Sequence, residues 1–314
     1  MLDDGGAMQD DRRDLRGYWD GAPPPPWPNA ARVAVSFVVN VEEGAERSIG
    51  DGDPVNESVY EAAEEVRGSV DPCMESHYGY GPRAGYRRIV DALDQAGAVA
   101  TFSTCGRAAV RTPWLMQDII ARGHEVGCHG WLWETHSYMD EATERETIAK
   151  THAELSRITG HAPVGWHTRS ASSANTRRLL LEHGGFLYDS DAYDDDIPRI
   201  ERHGDTDHVV LPYAFDTNDM RFRPGGAFVH AEDFSRYCIA AFDRLWEEGR
   251  AEARMMSIGL HLRTIGRPAR IGGLEAVLAH MTAKGGAWMA SRRQIAECWR
   301  AASGLPEWTR KEPT

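Results

Sequence analysis

Along this chain, short apolar runs of strand length alternate with longer stretches whose apolar positions recur at helical spacing. The first run, residues 31–40 (ARVAVSFVVN), is valine-rich and lacks polar alternation, the pattern of a strand buried on both faces. Residues 82–96 (PRAGYRRIVDALDQA) open on Pro82 and stop before Gly97, which are helix start and stop signals. Strand-like runs follow at 98–103, 124–129, 164–169, 186–189, 208–212, 255–262 and 287–290. Between them lie helical patterns at 113–122, 140–159, 175–183, 232–248, 274–284 and 292–301. About seven β-then-α units without a sequence repeat predict a single-domain α/β fold, a deformed parallel (β/α) barrel. An open doubly wound sheet is the structural alternative. It normally carries a glycine-rich phosphate turn after its first strand, and residues 40–44 (NVEEG) are not one.

The flanks read differently from the barrel. Residues 1–30 end in GAPPPPWPN, and the proline run predicts an extended arm rather than helix or central strand. Such an arm either straps the surface or reaches a neighbouring subunit. Residues 31–302 form the predicted catalytic domain, and 303–314 a C-terminal tail. The long connection from Glu42 to Tyr80, rich in Gly, Asp, Glu and Ser, predicts a lid or binding loop.

Composition narrows the function classes. The net charge of −13, from 35 basic and 48 acidic residues, leaves no basic excess to neutralise phosphates. Nucleic acid and anionic membrane surfaces are therefore not expected partners. No apolar run approaches the ~20 residues that span a bilayer. The polar first residues (MLDDGGAMQDDRRD) carry no apolar signal core, so a cytoplasmic protein is expected. Cys73, Cys105, Cys128, Cys238 and Cys298 form no CxxC pair and read as reduced thiols.

In a parallel barrel the reactive groups lie at the carboxyl ends of the strands. That rule selects Asn40, Glu42 and Glu43 after the first strand, His129 after the third, and His167 and Arg169 after the next. Asp189 and Asp191 follow, and then His261 with Arg263. Each is polar where an apolar run stops, so groups distant in sequence converge on one mouth.

The order of these groups resembles the NodB-homology polysaccharide deacetylases. Within them it is most similar to the metal-independent bacterial allantoinases. The segments that carry the resemblance are NVEEGAERS, MESHYGYGPRAG, HGWLWETHSYMDEATERE, NTRRLLLEHGGFLYDSDAYDDD, PYAFDTNDMRF and SIGLHLRTIGRPAR. The resemblance implies a hydrolase of a cyclic amide, with allantoin or a related ureide, imide or hydantoin as the small-molecule partner. It also implies a homo-oligomer, a tetramer. Two departures stand out. Typical deacetylases bind a divalent metal, usually zinc, through an aspartate and two histidines four residues apart; here His129 is kept but Trp133 occupies the second place. Tyrosines of the allantoinase subgroup are replaced by His136 and His167.

Opening a cyclic amide needs a nucleophilic water, a stabilised oxyanion and a proton for the departing nitrogen. Glu42 or Glu43 is the candidate base, His129 and His261 the groups that orient the oxyanion or deliver the proton. Arg169 is expected to stabilise developing negative charge or to hold Asp189, the latter role implied by the resemblance. Trp131, Trp133, Trp166 and Tyr193 are candidate pocket walls, with His167, Asp189 and Asp191 as polar contacts. The segment 216–219 (DTND) is read as a ligand contact or a helix cap, and Asp194, Asp195 and Asp196 as a solvated charge run. No cofactor is expected; the alternative is zinc held by Glu42, His129 and a displaced His136. Two other functions stay open: an N-deacetylase or linear amidase, and a non-catalytic ligand-binding homologue.

Overall fold

The computed structural model describes residues 13–62 and 64–311. In chain order the strands are β1 (Val33–Val41), β2 (Ala100–Thr104), β3 (Glu125–Cys128), β4 (Gly165–Trp166), β5 (Tyr188–Asp189), β6 (Arg199–His203), β7 (Thr206–Val210), β8 (Arg254–His261) and β9 (Ala287–Met289). They form one sheet in the order β6-β7-β5-β4-β3-β2-β1-β8, parallel except for the β6–β7 hairpin. β1 is buried along its whole length, as its unbroken apolar run requires. One edge of β1 pairs with β8 from Val33↔Arg254 to Asn40↔His261. Its other edge is shared, with β9 beside Val33–Val35 and β2 beside Phe37–Val41.

The sheet curls until its two edges are joined by irregular backbone. The Met255 amide donates to Asp196 O at 2.7 Å, the Gly259 amide to Thr217 O at 3.1 Å, and Ser257 Oγ to Pro212 O at 2.9 Å. This is the deformed parallel barrel that the alternation of patterns predicts, with β6 as an added antiparallel edge. β6 (RIERH) is too charged to read as a strand, and it pairs only with β7.

Nine α-helices surround the sheet among the described residues: α1 (Pro72–Tyr80), α2 (Tyr86–Ala96), α3 (Gly106–Arg111), α4 (Pro113–Ala121), α5 (Glu141–Thr159), α6 (Thr176–His183), α7 (Ala231–Glu248), α8 (Pro268–Lys284) and α9 (Arg292–Ala302). Their apolar stripes, such as Ile89, Val90 and Leu93 of α2, are buried against the sheet. Each such side chain contributes ~1.5–3 kcal/mol relative to exposure. The connection 42–80 is not all loop. It ends in α1, whose start is fixed by the Asp71 carboxylate accepting from the Met74 amide and by Pro72 at the first position. The helix predicted from Pro82 is present: its first residues form a wide π-helical turn over Gly81–Gly85 that runs from α1 straight into α2.

The described part of the arm lies on its own barrel. Trp27 is buried between Trp288 and Trp299, with ring centroids 6.0 and 5.8 Å away. Pro23 O accepts from the Ala253 amide at 2.7 Å, which ties the arm to the foot of β8. Residues 1–12 of the predicted arm, and any reach to a neighbour that they make, lie outside the described residues. Among the described residues no helix is long and apolar enough to cross a membrane.

Inside the barrel, below the strand ends, sits Arg292 at the start of α9, fully buried. Its guanidinium donates to Ser190 Oγ, Ser36 Oγ and Ser257 Oγ and to the carbonyls of Leu211 and Pro212. Neutral acceptors surround it, and burial lowers its pKa from the usual arginine value.

Candidate active site

Glu42 and Glu43 stand where β1 ends, and the turn that follows is set by Gly44 at φ 93°, a left-handed conformation that glycine adopts without strain. Arg107 of α3 holds this turn through Gly44 O and Glu46 O and pairs with Asp53 at 2.8 Å. Gly81 completes the seat: a Cβ there would lie 2.6 Å from the Glu43 carboxyl group. Both glutamates are thereby buried, at 1 and 2% exposure.

The two carboxylates face different partners. Glu42 Oε2 accepts from Arg263 Nη1 at 2.8 Å, while Oε1 faces two imidazoles, His261 Nε2 at 3.3 Å and His129 Nε2 at 3.6 Å. Glu43 accepts from the Arg263 amide at 3.1 Å, from Arg263 Nη1 at 3.3 Å and from the Glu42 amide at 3.2 Å. Burial alone would raise the Glu42 carboxyl, but the facing His261 and Arg263 charges outweigh it and hold the group well below the usual carboxylate range. Glu43 stays above its ordinary value, because burial and the Glu42 charge outweigh Arg263.

Each imidazole is oriented from behind. His261 Nδ1 lies 2.6 Å from Asp219 Oδ1, and the other Asp219 oxygen accepts from the His261 and Ile265 amides at 2.8 and 3.0 Å. Burial opposes a charge on His261, yet Glu42 and Asp219 together push its pKa up to about 9. His129 Nδ1 lies 2.5 Å from His167 O. A carbonyl only accepts, so Nδ1 carries the proton and Nε2 is the atom turned to Glu42.

The walls are aromatic. Arg263 lies over Tyr78, 4.5 Å from its centroid, and 5.0 Å from that of Trp133. Arg169 stacks on Trp133 at 3.4 Å. It donates to Trp133 O at 2.6 Å and to Glu57 at 3.0 and 3.2 Å, so the long connection closes over the site. Arg169 follows β4 through a tight bend in which Ser170, not a glycine, has φ 50°. Below this level His167 stacks between His129 and Tyr213, at 5.0 and 4.3 Å. Burial, then His129 and Arg292, hold its pKa well below the ordinary histidine value. Neither ring nitrogen of His167, nor Asn40 Oδ1, has a protein partner.

The structure thus brings together Glu42, Glu43, His129, His261, His167, Trp133 and Arg169. It places the other candidates elsewhere. Arg169 does not hold Asp189; Arg177 at 2.7 and 3.0 Å and His208 at 2.9 Å do. Asp191 accepts from the amide and hydroxyl of Thr168 at 2.8 and 2.7 Å, supporting the β4 bend. Trp166 is core, edge-on to Phe186 and His136, and Trp131 lies under Lys150 of α5. Tyr193 stacks on Phe215 at the exposed rim. Of the segment 216–219, Asn218 caps a short 3-10 helix and Asp219 orients His261. Two participants act in ways the sequence did not assign: Asp219, read there only within 216–219 as a ligand contact or helix cap, and Arg263, selected by its strand-end place without a role. Their signal was position alone, a charged residue just past an apolar run.

A metal of the kind the family resemblance implies does not fit these residues. Trp133 offers an N–H donor and no lone pair. Both glutamates are engaged by Arg263, and His136 turns Nδ1 to Glu144 at 3.1 Å, behind Gly130. The set Glu42, His129 and His136 is not assembled, and no three His, Cys, Asp or Glu among the described residues converge as ligands.

A parallel barrel with a carboxylate and imidazoles at its mouth defines a class, the barrel enzymes whose acid–base groups sit at the carboxyl ends of the strands. Comparison with known proteins places the chain within it. Residues 71–187 match the polysaccharide deacetylase family model. A Schizosaccharomyces pombe protein named "Putative polysaccharide deacetylase" is 35% identical over 88% of this chain and 92% of its own. The chain belongs to the polysaccharide deacetylase family. Among solved structures, a "probable Polysaccharide deacetylase" from Pseudomonas aeruginosa PAO1 is 42% identical with a TM-score of 0.89, covering 94% of this chain and 100% of the other. The Puue allantoinase is 41% identical with a TM-score of 0.90, covering 95% and 100%.

Proposed function

We propose that this hydrolase opens a cyclic amide, allantoin or a related ureide, imide or hydantoin, by attack of water on a ring carbonyl. The carrying observation is the environment of Glu42: one oxygen fixed by Arg263, the other flanked by two Nε2 atoms whose far sides are anchored. The similarity to the Puue allantoinase supports the choice of a ring amide. The enclosed, aromatic-walled site supports it too, since a small planar ring suits such walls better than a polymer does.

In this reading Glu42 Oε1 takes one proton from a water held beside His129 Nε2. The water oxygen bonds to the ring carbonyl carbon. His261, cationic below about 9, faces the oxyanion and gives its Nε2 proton to the ring nitrogen as the C–N bond breaks. Asp219 keeps His261 turned to the reaction and charged until then. Glu57, held over the site by Arg169, must leave the mouth for substrate to enter. No step calls on a metal ion.

The test is a panel of cyclic ureides, imides and hydantoins beside N-acetylated amino sugars, each with wild-type protein and Glu42→Gln. Protein freed of metal by a strong chelator, with the loss confirmed by elemental analysis, is assayed in parallel. Ring opening that depends on Glu42 and survives chelation is expected. Turnover of the acetylated sugars alone, restored by stoichiometric zinc, would overturn the reading.

A further inference from the structure

Among the described residues Arg263 is the one guanidinium whose nitrogen reaches both carboxylates at the end of β1, and it is buried with them at 4% exposure. Nothing about the spacing of Glu42 and Arg263, which lie 221 positions apart, announces this contact. Three observations define what the pairing does. Nη1 meets Glu42 on Oε2 alone, at 2.8 Å, which leaves Oε1 free for the imidazoles. Glu43 grips the arginine twice, at its backbone amide and at Nη1, and so fixes both ends of the side chain. The aromatic faces of Tyr78 and Trp133 close over the guanidinium, so the cation lies in a dry, polarisable cage.

We propose that Arg263 is the built-in cation of this site, a positioning residue that keeps Glu42 ionised and oriented, and that Glu43 serves as the clamp that aims it and not as the base. The proposal rests on the reading of Glu42 as the reacting carboxylate. Its physical content is electrostatic: two adjacent buried carboxylates cannot both stay charged unaided, because burial and mutual repulsion each favour a proton. Arg263 supplies the compensating charge on Oε2, while Glu43, held by three N–H groups, has no oxygen turned to the imidazoles. The arrangement also assigns the two glutamates different work, which their adjacency in sequence conceals.

The charged and titratable groups around Glu42 come from several elements. They are Glu43 at the end of β1, Tyr78 of α1, Cys105 after β2, His129 after β3, His167 and Arg169 after β4, and His261 and Arg263 at the end of β8. Of these only Arg263 is a permanent cation in direct contact. Its removal is therefore expected to raise the Glu42 midpoint.

The test uses Arg263→Gln, Arg263→Lys and Glu43→Gln in the full chain, with two readouts. The first needs no substrate: carbon-13 carboxyl titration of glutamate-labelled protein, with Glu42 assigned by comparison with Glu42→Gln. Arg263→Gln is expected to raise the Glu42 midpoint by about one pH unit or more, and Arg263→Lys to restore most of it. The second is the pH profile of kcat/KM on the best ring substrate. The acid limb should move up in Arg263→Gln, while Glu43→Gln lowers kcat by roughly tenfold, well short of the loss in Glu42→Gln. An unmoved Glu42 midpoint in both Arg263 variants overturns the inference even where ring opening is observed. A shifted midpoint in a protein that opens no ring upholds it and sinks the proposed reaction instead. Should Arg263→Gln fail to fold, Arg263→Met, which also removes the cation, carries the same titration, and an unmoved Glu42 midpoint in it overturns the inference. Glu43→Gln losing as much kcat as Glu42→Gln would return Glu43 to the role of base.

Discussion

Of the arginines buried in this protein, Arg263 and Arg292 have opposite surroundings. At the mouth Arg263 meets two carboxylates, and its pKa is raised well above the ordinary value once their charges outweigh burial. Lower in the barrel Arg292 meets three serine hydroxyls and two carbonyls, and burial lowers its pKa. Both are hydrogen-bonded, so neither leaves the orphaned charge that a core does not tolerate. The difference lies in what each leaves over. The Arg292 network spends hydroxyls and carbonyls on filling the barrel, whereas the Arg263 network leaves Glu42 Oε1 facing two imidazoles. A charge saturated by dipoles serves the scaffold; a charge balanced against other charges sets protonation states.

The sharpest break of this comparison is Glu42→Gln. Turnover should fall by about two orders of magnitude or more, as expected for loss of a general base, with the fold retained. Steady-state kinetics and circular dichroism check it, and turnover close to wild type would move the reaction to another part of the barrel. Next is Arg292→Met, which strands the acceptors around the guanidinium. Denaturant unfolding should show a loss on the order of 2–3 kcal/mol, while kcat per folded molecule stays near wild type. A large kcat loss at unchanged stability would erase the distinction between the two arginines. The smallest effect belongs to Asp219→Asn. Wild-type activity should decline above about 9, where His261 loses its proton. Asp219 raises that value, so the variant's alkaline limb should move down by roughly one pH unit. An unmoved limb would assign it to a group other than His261.

Much of the scaffold is legible in the sequence because its signals are local. The valine run of β1, the stop at Gly97 and the capped start of α5 each depend on neighbours a few residues away. Strand ends also select Glu42, His129 and His261, since a polar residue closing an apolar run needs no partner to be noticed. Partners are another matter. Arg263 with Glu42, His261 with Asp219 and Arg169 with Glu57 are pairings 221, 42 and 112 positions apart. Asp189 and Asp191 also close apolar runs, yet they brace the barrel wall through Arg177, His208 and Thr168. Polarity at a strand end locates the mouth; only tertiary geometry tells which of its groups are spent on holding it.

The shared edge of β1 carries a consequence for how the chain assembles. Residues Val33–Val35 find their partners in β8 and β9, and Arg292, just beyond β9, fills the space beneath the reacting groups. The earliest of the described strands to leave the ribosome is therefore among the last to be satisfied. A nascent chain lacking α8 and β9 exposes an apolar, unpaired β1 edge, the type of surface that recruits holdase chaperones and pairs with other strands. Truncation near the C-terminus should thus cost solubility before it touches any residue at the mouth.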